Sequence, residues 1–410
     1  MLSLAALLVL AGPVRGAEFV PVFNATLMGG QYFFKTDHTS LSGNASALAA
    51  PVIVQSDQWS FIPMLSSNYQ GTKGVNDNVA AGTLFQEEMD HRLSFTAIDT
   101  VPNSLWKLKP SVSYKRDFLK ETVDETWGHG LFDYDKMALG FEAENVYKDP
   151  FSYRLGFDVF KVRYMNYQSL ESQSGTDPLG NPLGRENAGT NVLDSYNYQL
   201  SASVSRPFPY EEPKVSLHAS YSILYQDYMN DAVVDARGQN KANTRKDFMQ
   251  TVAVSAGYPR KTELWGTSCR VDSSVGLSLA VNSSNQNTFD AAQTRFIDNA
   301  YSFVQIGLGP GAVVSWGDDK RPASLGATVR WLRTAYTGRL SQDGDGLYLG
   351  DNQTQDRYQF SLNYGYPISP TFYLKAQANM LWARSKNLFE KTYAYNYTSN
   401  NFLTGVSWEY

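Results

Sequence analysis

The chain has 410 residues, a formal net charge of −5, 42% hydrophobic and 18% charged residues, and an aromatic fraction of 14% carried by 26 Tyr, 22 Phe and 8 Trp. The balance is mildly acidic and shows no concentrated basic tract or Gly-rich phosphate loop, so nucleic-acid and nucleotide binding have no support. A single cysteine, Cys269, excludes an intramolecular disulfide and any cysteine-built metal site.

In chain order, residues 1–17 read as a secretory leader and 18–410 as one domain. The run Leu2 to Val14 is the only long apolar one and is shorter than the roughly 20 residues of a spanning helix. Cleavage fits after Gly16 or Ala17, and Pro13 stands where the lipoprotein box opened by Leu10, Ala11 and Gly12 would need its cysteine. Period-two alternation then predicts strands at about 20–34, 45–55, 59–70, 90–101, 105–119, 134–147, 151–166 and 193–206. It continues at about 213–226, 247–258, 268–282, 299–315, 323–336, 356–367, 371–384 and 396–410, sixteen strands in all. The clearest alternation sets Tyr196, Tyr198, Leu200, Ala202 and Val204 against Asn197, Gln199, Ser201, Ser203 and Ser205.

The connections alternate between short and long. Residues 102–104, 148–150, 317–322 and 367–370 are short and made of turn formers; 71–89, 168–192, 227–246 and 337–355 are long and polar. Lys35 to Ser42 reads as a polar break after the first strand. Trp59, Trp106, Tyr147, Tyr153, Phe208, Tyr258, Trp265, Trp316, Tyr366 and Phe372 gather beside the short connections, as an aromatic girdle would. A soluble β-sandwich also alternates, but its strands average about five to six residues.

The last strand ends the chain with Phe402, Thr404, Val406, Trp408 and Tyr410 on one face. This pattern resembles the carboxyl-terminal assembly signal of bacterial outer-membrane β-barrels, with Phe402, Val406, Trp408 and Tyr410 as its residues. The resemblance is to a porin-like architecture. It implies an all-β, transmembrane, antiparallel up-and-down barrel in the outer membrane, with short periplasmic turns and long external loops. Its implied partners are outer-membrane lipid, lipopolysaccharide and the barrel-insertion machinery; a homo-oligomer stays open, and no cofactor or metal is implied.

Two functions fit such a barrel. One is a passive diffusion channel for small hydrophilic solutes, anionic ones included. The other is a loop-filled barrel for surface display, adhesion or a larger envelope assembly. With the apolar set facing lipid, alternation sends Lys107, Lys109, Lys115, Lys136, Arg154, Lys214, Arg270, Arg330, Arg357 and Lys375 inward. Glu142, Glu144, Asp158, Asp272 and Glu409 oppose them, so the pore is expected to prefer anions. The segment 120–133, with Glu121, Asp124, Glu125 and Asp133, takes the ordinal place of the constriction loop of general porins.

Catalytic readings are weak. His218 and Ser220 share the spacing of the outer-membrane phospholipase pair but are predicted to face the lumen, away from lipid. Asp90 and His91 are neighbours on a strand and so point to opposite faces. Asp343-Gly-Asp345-Gly, with Asp351 and Asn352, offers hard oxygen ligands on a loop but lacks the later glutamate of an EF-hand.

Overall fold

The computed structural model describes residues 17–34, 38–71, 87–120, 125–145, 151–169, 189–206, 215–264, 266–289, 295–389 and 395–410. Residues 1–16, together with Glu121, Asp124, Tyr147, Phe208, Lys214 and Trp265, lie outside the described residues. Sixteen long strands carry the fold. They are β1 (Phe23–Phe34), β2 (His38–Ala49), β3 (Trp59–Gln70), β4 (Glu87–Thr100), β5 (Trp106–Lys120), β6 (Tyr134–Asn145), β7 (Ser152–Tyr164) and β8 (Ser195–Arg206). The second half holds β9 (Ser216–Val234), β10 (Asn240–Leu264), β11 (Thr267–Ser284), β12 (Phe303–Asp318), β13 (Arg321–Gln342), β14 (Tyr348–Pro367), β15 (Phe372–Ser385) and β16 (Tyr397–Glu409).

Each strand pairs antiparallel with its sequence neighbours, and β16 returns to β1 over Asn24↔Glu409 to Phe34↔Ser399. Reciprocal 2.8 Å hydrogen bonds between Phe23 and Tyr410 finish the seam. The strand ring is closed, so each of the sixteen strands has a hydrogen-bonded neighbour on both sides, as a solvent that offers no hydrogen bonds demands.

Register fixes which side chains share a face, and exposure tells which face is outside. On β6, Met137, Leu139 and Phe141 are 62%, 65% and 46% exposed, whereas Lys136, Glu142 and Glu144 on the other face are half-buried. An apolar face turned outward and a polar face turned inward is the inverse of a soluble sheet, and fits a chain whose outer solvent is hydrocarbon. On β5 the outward run from Trp106 to Tyr114 rises roughly 20 Å at about 3.3 Å per residue and a tilt of about 40°. The lower rim of the band is aromatic, as expected. Trp59, Tyr153, Tyr258, Tyr366 and Phe372 are exposed there, and Trp408 packs on Phe23 and Phe372 with ring centroids 4.6 and 6.3 Å apart.

Three expectations need correction. The polar stretch after β1 is not a long break, because β2 begins at His38 and its register with β1 runs from Phe34↔His38 to Phe23↔Ala49. The predicted strand 45–55 is divided at Pro51, which lacks an amide donor. Beyond it Val52–Val54 pairs instead with Glu18–Val20.

The supposed loops 227–246 and 337–355 are mostly strand. β9 and β10 extend to a turn over Asp235–Gln239, and β13 and β14 to one over Asp343–Leu347. Register shifts after Asp227 and after Ala335 break the alternation that would have revealed these extensions. Both turns are built alike. The Asp235 carboxylate accepts the amides of Arg237 and Gln239, each at 2.9 Å, and that of Asp343 accepts Asp345 at 3.0 Å and Leu347 at 2.8 Å. Gly238 and Gly346 supply the positive φ, +74° and +88°.

Asp343 is therefore spent on its own turn. The Gln239 and Arg237 amides hold the Asp235 carboxyl below the usual carboxylate range, so this turn is stabilised at neutral pH and loses that support as pH falls through the lowered value. Gly344 has open space around it. An epitope inserted after Gly344 is expected to be labelled on intact cells, while one after Asp319, in the tight turn between β12 and β13, is not; labelling in the opposite sense would invert the topology.

Candidate functional site: the barrel lumen

The inward face has two unlike walls. The charged wall lies on β4 to β7, where the register aligns Arg92, Lys115 and Lys136 in one row. Like charges side by side are unfavourable unless offset. Lys115 is offset by Asp117 at 2.6 Å and Asp90 at 3.9 Å, and the Lys136 ammonium lies 3.7 Å over the Phe160 ring. Closer to the periplasmic end, Lys109 reaches Glu142 at 2.8 Å and Glu144 at 2.6 Å, and Glu144 also receives Arg154 at 2.9 Å. Arg270 pairs with Asp272 at 2.8 Å, and Lys375 with Glu409 at 3.2 Å.

These registers place Lys107, Lys109, Lys115, Lys136, Arg154, Arg270, Arg330, Arg357 and Lys375 on the inward face. They correct the expected charge balance. Arg92 also faces inward, but so do Glu88, Asp90 and Asp117, and Lys109, Lys115, Arg154, Arg270 and Lys375 are ion-paired. Among the described residues, Arg92, Lys107, Lys136 and Arg330 have no ion-pair partner within 4.0 Å.

The opposite wall, on β9 to β14, is made of small residues. Inward Gly307, Gly309 and Gly311 of β12 stand against Ser278, Gly276 and Ser274 of β11, and with no side chains to fill the space they open a recess of about 440 Å³. Arg330, Gln359 and His218 are among its lining. His218 and Ser220 face into this lumen, opposite Ser255 and Ala253, and not toward lipid. Asp90 faces inward beside Asn68, whereas His91 is outward and hydrogen-bonded to Ser67 at 2.9 Å, so they form no catalytic couple.

The constriction-loop expectation is corrected in its described part. Trp127 packs edge-on against Tyr69 (6.2 Å) and under the Lys120 ammonium (5.4 Å), both on the outward face, and Gly128 lies toward outward Phe118. Asp133 is buried at the wall's edge, accepting the amides of Leu119 at 2.8 Å and Gly130 at 3.2 Å. The segment carrying Glu125 and Asp133 thus lies along the outer side of the rim. Apolar outward residues there offer a surface that the charged lumen wall does not.

A polar core missed in the sequence closes the external end of β9 to β13. Buried Arg245 binds Asp247 at 2.6 Å and Asp231 at 3.7 Å, between the rings of Tyr301 (3.9 Å) and Tyr228 (4.4 Å). Gln286 donates to Asp231 at 2.6 Å and accepts the Val234 amide at 3.2 Å, tying the segment after β11 onto this core. Its signal, Arg245 and Asp247 on one strand face, was split by the boundary between the supposed loop 227–246 and the strand 247–258. Arg245→Ala leaves two buried carboxylates uncompensated and is expected to cost about 3–5 kcal/mol at this end of the barrel. The check is faster external proteolysis near residue 286 while the barrel itself stays folded.

A closed strand ring with an apolar exterior and a polar interior defines a transmembrane β-barrel. With sixteen strands, an aromatic lower rim and hairpins that extend beyond the apolar band, the chain is a transmembrane β-barrel of porin-like architecture, the fold seen in bacterial outer-membrane proteins. It is similar to solved outer-membrane proteins at very low sequence identity. OprB of Pseudomonas putida is 12% identical, with 96% of this chain and 94% of that chain covered and a TM-score of 0.47. For OccD3 of Pseudomonas aeruginosa the values are 9%, 97%, 93% and 0.46, and for OmpT of Vibrio cholerae 10%, 97%, 99% and 0.44. No family model and no curated protein matches the sequence.

Proposed function

We propose that the protein is a non-catalytic passive channel for small hydrophilic solutes, with a preference for anions. The observation that carries this reading is the wall of glycine and serine on β11 and β12, which leaves an open recess beside Arg330 instead of packed side chains. A barrel of this strand number is wide enough for an aqueous path where its side chains do not fill it. Arg92 and Lys136 on the charged wall, without ion-pair partners among the described residues, supply the positive field together with Arg330.

One observation favours the loop-filled alternative. Tyr32, Phe34, Ala383 and Tyr397 are inward yet buried at the external end, with Phe34 and Tyr397 stacked at 5.5 Å. Single-channel recording in a planar bilayer separates the two. Stepwise conductance from the folded barrel is the expected result, and a folded, inserted barrel with no steps would move the assignment to a closed barrel for display or assembly.

A further inference from the structure

Two outward-facing clusters share one construction. Across β5, β6 and β7, Arg116 stands opposite Asp135, and Asp135 opposite Arg163. Across β13, β14 and β15, Arg333 stands opposite Asp356, and Asp356 opposite Arg384. In each, an aromatic one outward position earlier on the first strand donates to the central carboxylate: the Tyr114 hydroxyl to Asp135 at 2.7 Å and the Trp331 indole Nε1 to Asp356 at 3.0 Å. Their central strands are the sixth and fourteenth of a ring of sixteen, which puts the clusters half a circumference apart.

Both lie at the external edge of the apolar band. Met137, Leu139 and Phe141 occupy the outward positions below Asp135, and Tyr358, Phe360 and Leu362 those below Asp356. This is headgroup level, where an outward charge costs only about 0–1 kcal/mol in place of the ~2–4 it costs at mid-bilayer. Arg163, Arg333 and Arg384 are exposed, and none has an ion-pair partner within 4.0 Å among the described residues; Arg116 approaches Asp135 at 3.7 Å. Elsewhere on this edge Asp227 and Lys246 pair one to one at 4.0 Å. The clusters differ: one carboxylate, already engaged by an aromatic donor, sits between two guanidiniums about two strand spacings, roughly 10 Å, apart. On the strands themselves two guanidiniums face one carboxylate in each cluster; at the first, Asp133 of the segment before β6 also lies within electrostatic reach of Arg116.

The geometry points to two equivalent sites for the phosphate headgroups of outer-leaflet lipid, one on each side of the barrel. The guanidinium fork matches phosphate oxygens, and the carboxylate with its aromatic donor holds the two forks apart. In an outer membrane the source is the phosphorylated glycolipid of the external leaflet; a glycerophospholipid offers the same group.

The test is native mass spectrometry of the full barrel from phosphatidylcholine nanodiscs, titrated with diphosphoryl lipid A. Two retained lipid A molecules are expected. Arg116→Gln with Arg163→Gln should leave one, and adding Arg333→Gln and Arg384→Gln should leave none, with affinity falling about fivefold for each guanidinium removed. Competition by phosphatidylglycerol supports the phosphate chemistry and assigns it to glycerophospholipid as well. Equal retention of dephosphorylated lipid A by the wild-type barrel overturns the proposal, as does unchanged stoichiometry in the four-Arg variant. The wild-type comparison decides even where the variant does not fold.

Discussion

Deleting residues 406–410 is expected to abolish the folded, heat-modifiable form of the protein. The deletion removes the pairs Leu374↔Val406 to Phe372↔Trp408 on one side of β16 and Leu27↔Val406 to Asn24↔Glu409 on the other. It also removes both hydrogen bonds between Phe23 and Tyr410. In water those groups would find other partners; in hydrocarbon each unsatisfied one costs several kcal/mol, and a barrel open along one seam has no stable place in the bilayer. The same seam fails by a different route. Gly405 and Gly30 lie where a Cβ would run into the Leu27 and Phe402 carbonyls, respectively. Gly405→Val is therefore expected to mimic the truncation, while Trp408→Ala, which spares the backbone, should weaken assembly without abolishing it. A gel-shift and surface-labelling assay reads all three. Normal surface assembly of the truncated chain would show that the seam is not closed by these residues.

The strand count was legible because hydrocarbon outside and polar groups inside make every membrane-spanning residue report its face. Tyr196 to Val204 and Leu217 to Ile223 alternate without error, and register confirms the faces read for them. The alternation stops being informative above the membrane, where both faces meet water or packed loop. There Asp231, Arg245 and Asp247 are polar and buried, and the shifts after Asp227 and Ala335 reverse the phase of the strand. The turn-forming Asp235 and Asp343, each followed three residues later by glycine, were the available sign that two apparent loops are hairpins. Inward cations were legible one by one, but their neutralisation was not. Whether Lys109 is free or shared by two glutamates depends on a register that links residues 33 apart in the chain.

That difference decides which charges set ion preference. Lys109 is enclosed by Glu142 and Glu144, so its field is largely cancelled at short range. Arg92, Lys136 and Arg330 are not ion-paired, and two walls of the lumen therefore present positive groups to a passing ion, with Asp158 the nearby inward acid outside an ion pair. The acidic external hairpin ends are solvated and screened beyond roughly 8 Å at physiological salt, whereas low-dielectric walls focus the field of the inward groups. The expected result for the wild-type pore is a reversal potential in a potassium chloride gradient of the sign set by chloride preference. Arg92→Glu with Lys136→Glu and Arg330→Glu should change the permeability ratio by about tenfold, the low end of the effect of focused charge, and reverse that sign. Lys109→Gln should push the same way but less, because it frees Glu142 and Glu144 without adding charge to the open wall. A wild-type pore that prefers cations, with a ratio unmoved by the triple reversal, would remove the lumen charges from the mechanism and leave selectivity to the external mouth.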